Sequence, residues 1–526
     1  MRGKNKFYHT ISLFIVLIVA CRVEHTVVFS NAASKLRLLT VSSTGLGEYS
    51  SIQEAINNAS DGDIILVRSD IYYENLVVNK SVSIIGEDQS NTIIDGGGKD
   101  ITVIVKASGA MLKNLTIQHG IVGVIFEEYT EGNQLINSLI AYNSYYGVYG
   151  DRCGKSTIAN NTICFNGWHG IFLYASGPCV IENNTITSNN ADGVRVRYSN
   201  NTVIQNNVVS LNVGCGIFLM SDEDPERPSG LSRGNVINYN CVLNNSCGIK
   251  ICHFGNDTSL AGNWIRGNYI AYNGLGLNLS GSRGNTFYNN NFVENLRQLS
   301  VFNTSGNSWD AGYYIGGNFW SDYEGVDNFC GPDQSHLGSD GCGDSPYLID
   351  ADNVDYYPLM GPTYVFNVGT LDGKAYALHI ASNSSVTNFK LDILEKTVSF
   401  NVNGAEDTVG FCRITIPNII IEHVWQHDYS ILLNSEPWPF SQWADAKNTC
   451  IYISYKHPEH KISIVFEFPS TIVLSAYIIL AMLTAVLAKK RFSKKTMLNS
   501  PSLFHSESNN IIELCFTKVK VNASIR

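Results

Sequence analysis

Residues 137–150 read NSLIAYNSYYGVYG, residues 161–174 read NTICFNGWHGIFLY, residues 184–197 read NTITSNNADGVRVR and residues 207–220 read NVVSLNVGCGIFLM. The leading Asn residues of these four stretches are 24, 23 and 23 residues apart. Related phrases begin further along the chain, at Asn240, Asn268 and Asn290. Each unit contains short runs with apolar residues at alternate positions and no 3.6-residue helical pattern. A repeat of this length, built of short strands with Asn and Gly turns, predicts a parallel β-helix.

The fold class predicted from the repeat is therefore all-β. A propeller blade needs about 40 residues or more, so the shorter period argues against that alternative. Ten to twelve coils are expected between Asp63 and Trp320, each about 4.8 Å from the next. Within them Ile171, Val194 and Ile217 should stack on one another and point inward. The repeated Asn residues are expected to form a structural ladder, each amide bonded to the next coil, at Asn161, Asn184 and Asn207.

Composition excludes one class of partner. The chain has 526 residues, 16% of them charged, and a formal net charge of −10. Binding to nucleic-acid phosphates requires a concentrated basic surface. No nucleic-acid partner is therefore expected.

The N-terminal residues 1–33 have the layout of an export signal, with basic residues before the apolar run Ile11–Ala20. Two processing sites compete. One is a small-residue site near Ala32, and the other is a lipobox-like sequence that would leave Cys21 lipidated. The apolar stretch between the two favours cleavage near Ala32. With either site, the mature chain is expected outside the cytoplasm.

Residues 469–488 are 20 uncharged, mostly apolar residues, followed by a basic cluster from Lys489 to Lys495. About 20 apolar residues span the hydrocarbon core of a bilayer. A basic flank remains on the cytoplasmic side. The sequence therefore predicts a single-pass cell-membrane protein with a transmembrane helix at 469–488, a cytoplasmic tail at 489–526 and an extracellular bulk.

The pattern between residues 363 and 468 differs from the repeat. About eight longer alternating strands follow one another there, among them YVFNV, VSFNV and IYISY. Polar turns separate them. Long alternating strands with short turns predict a two-sheet β-sandwich, which we interpret as a stalk.

Two segments resemble known families. Residues 49–87, YSSIQEAINNASDGDIILVRSDIYYENLVVNKSVSIIGE, resemble the entrance of pectin-lyase-like right-handed β-helix proteins. Residues 307–362, which include GGNFWSDYEG at 316–325, resemble the closing segment of NosD-type β-helices, also described as carbohydrate-binding and sugar-hydrolase β-helices. The resemblance implies a right-handed β-helix over residues 34–362. Membrane-tethered forms of this kind are similar to archaeal surface proteins.

Members of the resembled family hold polymeric ligands on the outward side chains of neighbouring coils. Aromatic rings stack on sugars, and guanidinium groups bind carboxylates or hydroxyls. A polysaccharide or cell-surface glycan is thus the expected partner, although an ordinary solvated face is the alternative. The candidate ligand-binding residues are Tyr149, Phe172, Tyr174, Arg195, Arg197, Phe218 and Lys250.

A catalytic alternative uses the same face. His169 and Asp192 occupy equivalent positions in successive repeats, and Arg195 follows closely, so the two residues are candidates for an acid/base pair. Glycoside hydrolysis normally requires two carboxylates, and this position supplies one. The DPHD motif of related epimerases is missing. A lyase, hydrolase or epimerase therefore remains the rival to a non-catalytic binder.

No cofactor is expected from the sequence, with two weaker alternatives. The resemblance to NosD implies a link to copper, but copper sites need clusters of Met, Cys and His, and only six Met are present. Asp350, Asp352 and Asp355 have the oxygen density of a calcium loop, without its glycine turn or distal Glu.

The 13 cysteines leave a question about disulfides. Seven lie within the repeats, where a small apolar side chain stacks well, so buried thiols are expected there. Cys330 with Cys342, in one irregular loop, and Cys412 with Cys450, in the region that follows, are candidates for disulfides. Sequence alone does not fix the connectivity.

Overall fold

The computed structural model describes residues 36–222, 232–254, 262–426, 428–466 and 478–487. The chain divides into two compact units. The first contains Met1–Asn328 and Cys342–Thr363, and the second contains Phe329–Gly341 and Tyr364–Arg526.

Helix α1, Ile52–Asn58, begins the first unit after strand β1. Its N-cap is Ser51, whose hydroxyl accepts a hydrogen bond from the Glu54 backbone N–H at 3.2 Å. The Glu74 carboxylate accepts from the backbone N–H groups of Ile52 and Gln53, both at 2.9 Å. A carboxylate at a helix N-terminus is electrostatically favourable. The buried face of α1 packs into the core of the first unit.

The first unit is a right-handed parallel β-helix built of three sheets. Sheet A has eleven strands: β1 Leu38–Val41, β2 Ile64–Val67, β5 Ser83–Gly86, β8 Met111–Lys113, β11 Gln134–Ile136, β14 Thr157–Ala159, β17 Val180–Glu182, β20 Val203–Gln205, β23 Val236–Asn238, β26 Trp264–Arg266 and β29 Thr286–Tyr288. Sheet B also has eleven: β3 Asp70–Tyr72, β6 Thr92–Asp95, β9 Thr116–Gln118, β12 Leu139–Ala141, β15 Thr162–Cys164, β18 Thr185–Thr187, β21 Val208–Ser210, β24 Cys241–Leu243, β27 Tyr269–Ala271, β30 Asn291–Val293 and β32 Phe319–Trp320. Sheet C has ten: β4 Leu76–Val78, β7 Val103–Val105, β10 Val124–Phe126, β13 Val148–Asp151, β16 Ile171–Tyr174, β19 Val194–Arg197, β22 Cys215–Asp222, β25 Cys247–Phe254, β28 Leu275–Ser280 and β31 Arg297–Phe302.

The interior of the β-helix is an apolar stack, as predicted. Ile171, Val194 and Ile217 are register partners on the parallel strands β16, β19 and β22, and all three are fully buried. Each coil buries its apolar side chains against the coils before and after it. Burial of this kind is the main source of stability in a solenoid.

The predicted asparagine ladder is confirmed. The Asn161 side-chain amide donates to Asn184 Oδ1, and the Asn184 amide donates to Asn207 Oδ1, both at 3.0 Å. The series continues coil by coil as far as Asn318. Because these residues are buried, each amide needs a partner, and the neighbouring coil supplies it.

The end of the first unit is closed by stacked aromatic rings. Trp320 stacks on Phe292 at 4.3 Å between centroids and on Tyr347 at 4.5 Å. Trp309 stacks on Phe287 at 4.5 Å. The short strands β35 Tyr347–Leu348 and β36 Val354–Asp355 form an antiparallel pair beside these stacked rings.

The second unit contains two antiparallel five-stranded sheets that share one hydrophobic core. The first consists, in spatial order, of β37 Thr363–Leu371, β38 Lys374–Ala381, β41 Val409–Pro417, β45 Asn448–Lys456 and β44 Ser441–Ala444. The second consists of β39 Ser385–Asp392, β40 Thr397–Asn403, β46 Glu459–Phe466, β42 Tyr429–Leu433 and β43 Glu436–Pro437. A short pair, β33 Phe329–Cys330 and β34 His336–Leu337, also belongs to this unit. The eight strands predicted by alternation are present, whereas helix α2, Asn418–Trp425, was not predicted.

The cysteine predictions have mixed outcomes. Cys153 and Cys179 in the coils are buried thiols, as expected. Cys412 and Cys450 are also buried thiols, and no disulfide joins them or joins Cys330 to Cys342, so the expectation of these two disulfides is wrong. Strand pairing explains the result for Cys412 and Cys450, because Cys412 is the register partner of Ile453 and Cys450 that of Thr415.

The two terminal predictions fall largely outside the described residues. The export signal at 1–33 and the tail at 489–526 lie entirely outside them. Of the predicted span at 469–488, the structure describes 478–487 as helical. No helix within the described ranges is both long and apolar enough to cross a membrane.

Candidate ligand-binding face

The outer face of sheet C brings the predicted ligand-binding residues together in two rows. The first row consists of register partners on five successive strands: Tyr149, Phe172, Arg195, Phe218 and Lys250. The second row lies two residues further along the same strands and contains Tyr174 and Arg197, followed by Met220. Alternation along each strand directs these side chains to the outside while their neighbours fill the core.

The first row begins with two aromatic residues and continues with two cations on either side of Phe218. Tyr149 and Phe172 have ring centroids 5.4 Å apart. The Arg195 guanidinium carbon lies 4.9 Å from the Phe218 ring centroid, and Lys250 Nζ lies 4.8 Å from the same centroid. Two cations therefore enclose one ring, an arrangement favoured by cation–π attraction.

This enclosure alters the role expected for Phe218. Its side chain is only 6% exposed, so its ring faces are not available to a ligand. Phe218 instead holds Arg195 and Lys250 apart on the face. Sequence alternation correctly gave its direction but not the burial imposed by its neighbours.

Arg197 in the second row is held among tyrosine rings. Its guanidinium carbon lies 5.7 Å from the Tyr174 centroid and 4.7 Å from the Tyr198 centroid. Its Nη2 donates to the Tyr198 hydroxyl at 3.0 Å. These contacts pre-organise the planar guanidinium group, which reduces the conformational entropy lost when a ligand binds.

His169 and Asp192 are adjacent, as the sequence predicted, but both are buried. His169 Nδ1 lies 3.3 Å from Asp192 Oδ2. The Trp168 indole N–H donates to His169 Nε2 at 2.7 Å, and Arg195 Nη1 lies 3.4 Å from that nitrogen. Both ring nitrogens thus face protein groups.

Electrostatics also make this pair a poor acid/base catalyst. Burial lowers the pKa of His169 to about 3, and the positive charge of Arg195 acts in the same direction. Burial raises the pKa of Asp192, while the Cys215 backbone N–H and Arg195 act in the opposite direction. A neutral imidazole with such a low pKa is a weak base at neutral pH.

The three aspartates proposed as a calcium loop have different environments. Asp350 and Asp352 are exposed, and the Asp350 carboxylate accepts from the Asp352 backbone N–H at 2.8 Å. Asp355 is fully buried and accepts from the Trp320 indole N–H at 3.0 Å. Across the described ranges, no three His, Cys, Asp or Glu side chains are grouped to hold a metal ion.

A set of exposed rings that was not predicted lies at the corner between sheets B and C. These rings are Tyr142, Tyr145, Phe165 and Trp168. Aromatic residues at equivalent positions in two successive repeats were the available signal, AYNSYYG at 141–147 and CFNGWHG at 164–170.

Two family models match the chain. "Right handed beta helix region" matches residues 101–265, and "Periplasmic copper-binding protein (NosD)" matches residues 230–325. In the part of the chain that the structure describes, no three His, Cys, Asp or Glu side chains are grouped as a copper site would need, and both His169 ring nitrogens face protein groups.

A curated relative is a cell surface glycoprotein of Methanothermus fervidus, 30% identical over 122 residues. That match covers 22% of this chain and 20% of the glycoprotein, so the chain spans about a fifth of its relative's length.

Solved structures with some likeness include the A-module of the Azotobacter vinelandii mannuronan C-5 epimerase AlgE6, at 15% identity and a TM-score of 0.40. That match covers 48% of this chain and 73% of the module. Pectate lyase Pel9A matches at 17% identity and a TM-score of 0.40, covering 57% of this chain and 84% of the lyase. Nothing about activity follows from likenesses at this level. The two family matches over residues 101–325 and the observed coils together support a NosD-type right-handed β-helix.

Proposed function

We propose that the chain is a membrane-anchored surface protein that binds an acidic glycan on the outer face of sheet C without cleaving it. The observation that carries this proposal is the clustering of Arg195, Arg197 and Lys250 beside Tyr149, Phe172 and Tyr174. The chain as a whole is acidic, with a formal net charge of −10, so the cationic cluster stands out against the rest of the molecule.

The chemistry of the face suits a polymer with carboxylate groups. Guanidinium and ammonium groups bind carboxylates, and neighbouring aromatic rings stack on the apolar faces of sugars. The coils repeat about every 4.8 Å, so successive coils place aromatic or cationic side chains at regular intervals along a chain-like ligand. The β-helix would present this face outside the cell, with the second unit as its stalk and residues 469–488 as its anchor.

The rival function is a polysaccharide lyase, hydrolase or epimerase acting on the same face. The burial of His169 and Asp192 and the lowered pKa of His169 favour binding without turnover. A copper-related accessory role receives no support from the described residues.

Binding is tested on the full-length chain in detergent, with oligogalacturonate and oligoalginate as acidic probes. Arg197→Ala and Lys250→Ala should each weaken binding of at least one probe about tenfold, equivalent to about 1.4 kcal/mol. Affinity should also fall as salt rises, because the contacts are ionic. Calorimetry measures both effects.

Lys374→Ala is the matched control. Lys374 Nζ lies 5.3 Å from the Tyr376 ring centroid, so this change also removes a cation above an aromatic ring, but in the second unit. The affinity of Lys374→Ala for the acidic probes should equal that of the wild type. Absence of binding to both probes, or equal affinities in all variants, would contradict the proposal.

The enzyme alternative is followed in the same samples by assaying unsaturated products, new reducing ends and epimerised residues. None is expected. Turnover by the wild type that disappears in Asp192→Asn would establish the enzyme and reject the non-catalytic role.

A further inference from the structure

The corner between sheets B and C has an unusual choice of residues. Each coil turns there through a residue with positive φ, and five successive coils use His119, Tyr142, Phe165, Ser188 and Leu211, with φ between 54° and 57°. At the corner between sheets A and B, the same conformation is held mainly by Asn, namely Asn114, Asn137, Asn160, Asn183, Asn206 and Asn289. Asn tolerates this region far better than large side chains do.

Burial does not explain the aromatic rings at the corner between sheets B and C. The Phe165 side chain is 51% exposed and Trp168 is 44% exposed. An exposed ring in a left-handed conformation carries a backbone cost without a compensating gain from burial. Clustered exposed apolar side chains of this kind commonly mark a binding surface.

The rings form one parallel stack and one pair tilted by 39°, and both end at the same coil. Tyr142 and Phe165 are stacked with centroids 5.4 Å apart and planes inclined by 6°. Tyr145 and Trp168 have centroids 5.2 Å apart. Phe165 therefore faces the following coil, where no aromatic residue continues its stack, and Trp168 is the last ring of the tilted pair.

Small residues occupy that following coil. Ser188 comes next after Phe165 at the left-handed position. Ala191 comes next after Trp168, and its backbone N–H donates to the Trp168 carbonyl at 3.0 Å. One coil further, Leu211 again projects from the left-handed position and is exposed. We define Phe165, Trp168, Ser188, Ala191 and Leu211 as the corner slot.

The dimensions of the corner slot match one sugar ring. Phe165 and Leu211 are two coils apart, so their attachment points are about 9–10 Å apart. A flat ring in contact with both needs about 7–8 Å, because each carbon contact takes about 3.5–4.0 Å. A puckered pyranose is thicker than a flat ring and fills the remaining space.

The lining of the slot favours a neutral ligand. None of its five side chains is charged, and the exposed amide of Asn190 lies next to it in the chain. The Thr187 hydroxyl lies 3.4 Å from Ser188 Oγ and 3.1 Å from Ser210 Oγ, which places hydroxyl groups along the floor. Ring faces beside hydroxyl and amide groups recognise sugars through stacking and hydrogen bonds.

Trp168 is also fixed in position. Its indole N–H donates to His169 Nε2 at 2.7 Å, so the ring is held before any ligand arrives. A fixed aromatic platform loses little conformational entropy on binding. The buried His169 thereby acquires a role as the residue that positions Trp168.

We propose that the corner slot binds one neutral sugar ring, stacked on Phe165 and Trp168. A second copy of this chain fits the slot less well. Five side chains on three coils offer far less than the roughly 800 Å² per partner that stable protein interfaces bury. This site is separate from the acidic-glycan face of the proposed function.

The test uses the full-length chain in detergent with tetrasaccharides of neutral β-glucan, mannan and galactan as probes. Wild type should bind at least one of them in calorimetry. Ser188→Phe extends the Phe165 stack into the slot and should weaken that binding about tenfold or more. The substitution is compatible with the fold, because Phe165 already adopts the same backbone conformation one coil earlier. Trp168→Ala should cause a similar loss.

Two control variants establish whether the loss of binding is specific to the corner slot. Tyr272→Ala removes an exposed ring from the equivalent left-handed position outside the slot, and should leave affinity unchanged. Arg197→Ala, which alters the acidic-glycan face, should not change binding of the neutral probe. Loss of acidic-glycan binding would therefore leave neutral-sugar binding at the corner slot unaffected. Loss of neutral-sugar binding would likewise leave acidic-glycan binding unaffected.

Three results would overturn the assignment. The first is absence of binding to all three neutral probes. The second is an affinity that Ser188→Phe leaves unchanged. The third is a change of oligomeric state on Ser188→Phe in analytical ultracentrifugation without any effect on sugar binding, which would identify the slot as a contact between copies.

Discussion

Asp355 shows how one residue can terminate a long polar array. The Asn318 backbone N–H and side-chain amide donate to Asp355 Oδ2 at 2.8 Å and 3.3 Å, and the Trp320 indole N–H donates to the same oxygen at 3.0 Å. A carboxylate suits this position because it only accepts hydrogen bonds when ionised. Burial nevertheless raises the pKa of Asp355 to about 7.

Because its folded pKa lies above the usual value of about 3.9, Asp355 binds its proton more tightly in the folded state. Its contribution to stability is therefore fully present below about pH 4 and is lost as pH rises through 7. Asp355→Asn should remove this pH-dependent contribution. It should also cost about 1–3 kcal/mol, because an amide N–H would face another donor.

Denaturant unfolding of the full-length chain at pH 4.5, 6 and 8 measures both effects. The free energy of unfolding of Asp355→Asn minus that of the wild type should change across this range. The exposed Asp352→Asn is the control and should follow the wild type. A constant difference for Asp355→Asn would show that the carboxyl does not titrate as described.

His169 should stay neutral over the physiological range. Because burial lowers its pKa to about 3, its ring resonances should not shift between pH 5 and 8. The contribution of His169 to stability changes with pH in the opposite direction to that of Asp355. A depressed pKa contributes stability above the unfolded value of about 6.5, and this contribution is lost as pH falls below it. NMR of selectively labelled histidine measures the titration, and a midpoint near 6.5 would indicate that water reaches the ring.

At the scale of the element, the asparagine ladder links successive coils from Asn161 to Asn318 with one polarity. Asn207 Oδ1 accepts from both the backbone and side-chain nitrogens of Asn184, at 2.9 Å and 3.0 Å. The Asn207 amide in turn donates to Asn240 Oδ1 at 3.0 Å. Each member is therefore both donor and acceptor, which is why an amide recurs and a carboxylate appears only at the end.

Asn207→Leu should destabilise the chain strongly. It leaves two buried donors of Asn184 without an acceptor, and each costs about 1–3 kcal/mol. Asn190→Ala removes an exposed amide from the turn between β18 and β19 and should change stability by less than about 0.5 kcal/mol. Chemical denaturation followed by circular dichroism compares the two variants. Equal stabilities would mean that the ladder is not a source of cohesion between coils.

The ladder and the binding face differ in how far sequence could predict them. Constant spacing predicted that Asn161, Asn184 and Asn207 would stack, because the coil length fixes the register. No spacing rule leads to Asp355, which lies 37 residues beyond Asn318 in an irregular segment. Similarly, alternation predicted the direction of Phe218, but its burial depends on Arg195 and Lys250 from two neighbouring strands.

At the scale of the whole molecule, the two units have different polar and apolar arrangements. The β-helix concentrates cations on sheet C, whereas the second unit buries Arg413 beside Asp340, with Nη1 donating to the Asp340 carbonyl at 2.7 Å. A buried guanidinium group serves structure, since it is inaccessible to a ligand. Arg413 is therefore not a candidate ligand-binding cation.

Residues 469–488 are the proposed membrane anchor. The helical part that the structure describes, 478–487, exposes the apolar side chains of Ile479, Leu480, Met482 and Leu483. A helix that is apolar on all sides is favourable in lipid and unfavourable in water. The basic cluster from Lys489 to Lys495 sets the orientation, since such residues stay in the cytoplasm. In intact cells, added protease should therefore digest the β-helix and spare a tag placed after Lys495.

Leu480→Arg provides a second variant. Arginine near the centre of a membrane helix costs about 2.5–3.5 kcal/mol, so this variant should leave the membrane pellet to a measurable extent. Ser470→Arg, near the outer end of the same run, is the matched control, because a long basic side chain there reaches the interface. Digestion of the tag together with protection of the β-helix would reverse the orientation. Full release of the wild type by a carbonate wash would show that residues 469–488 do not anchor the chain.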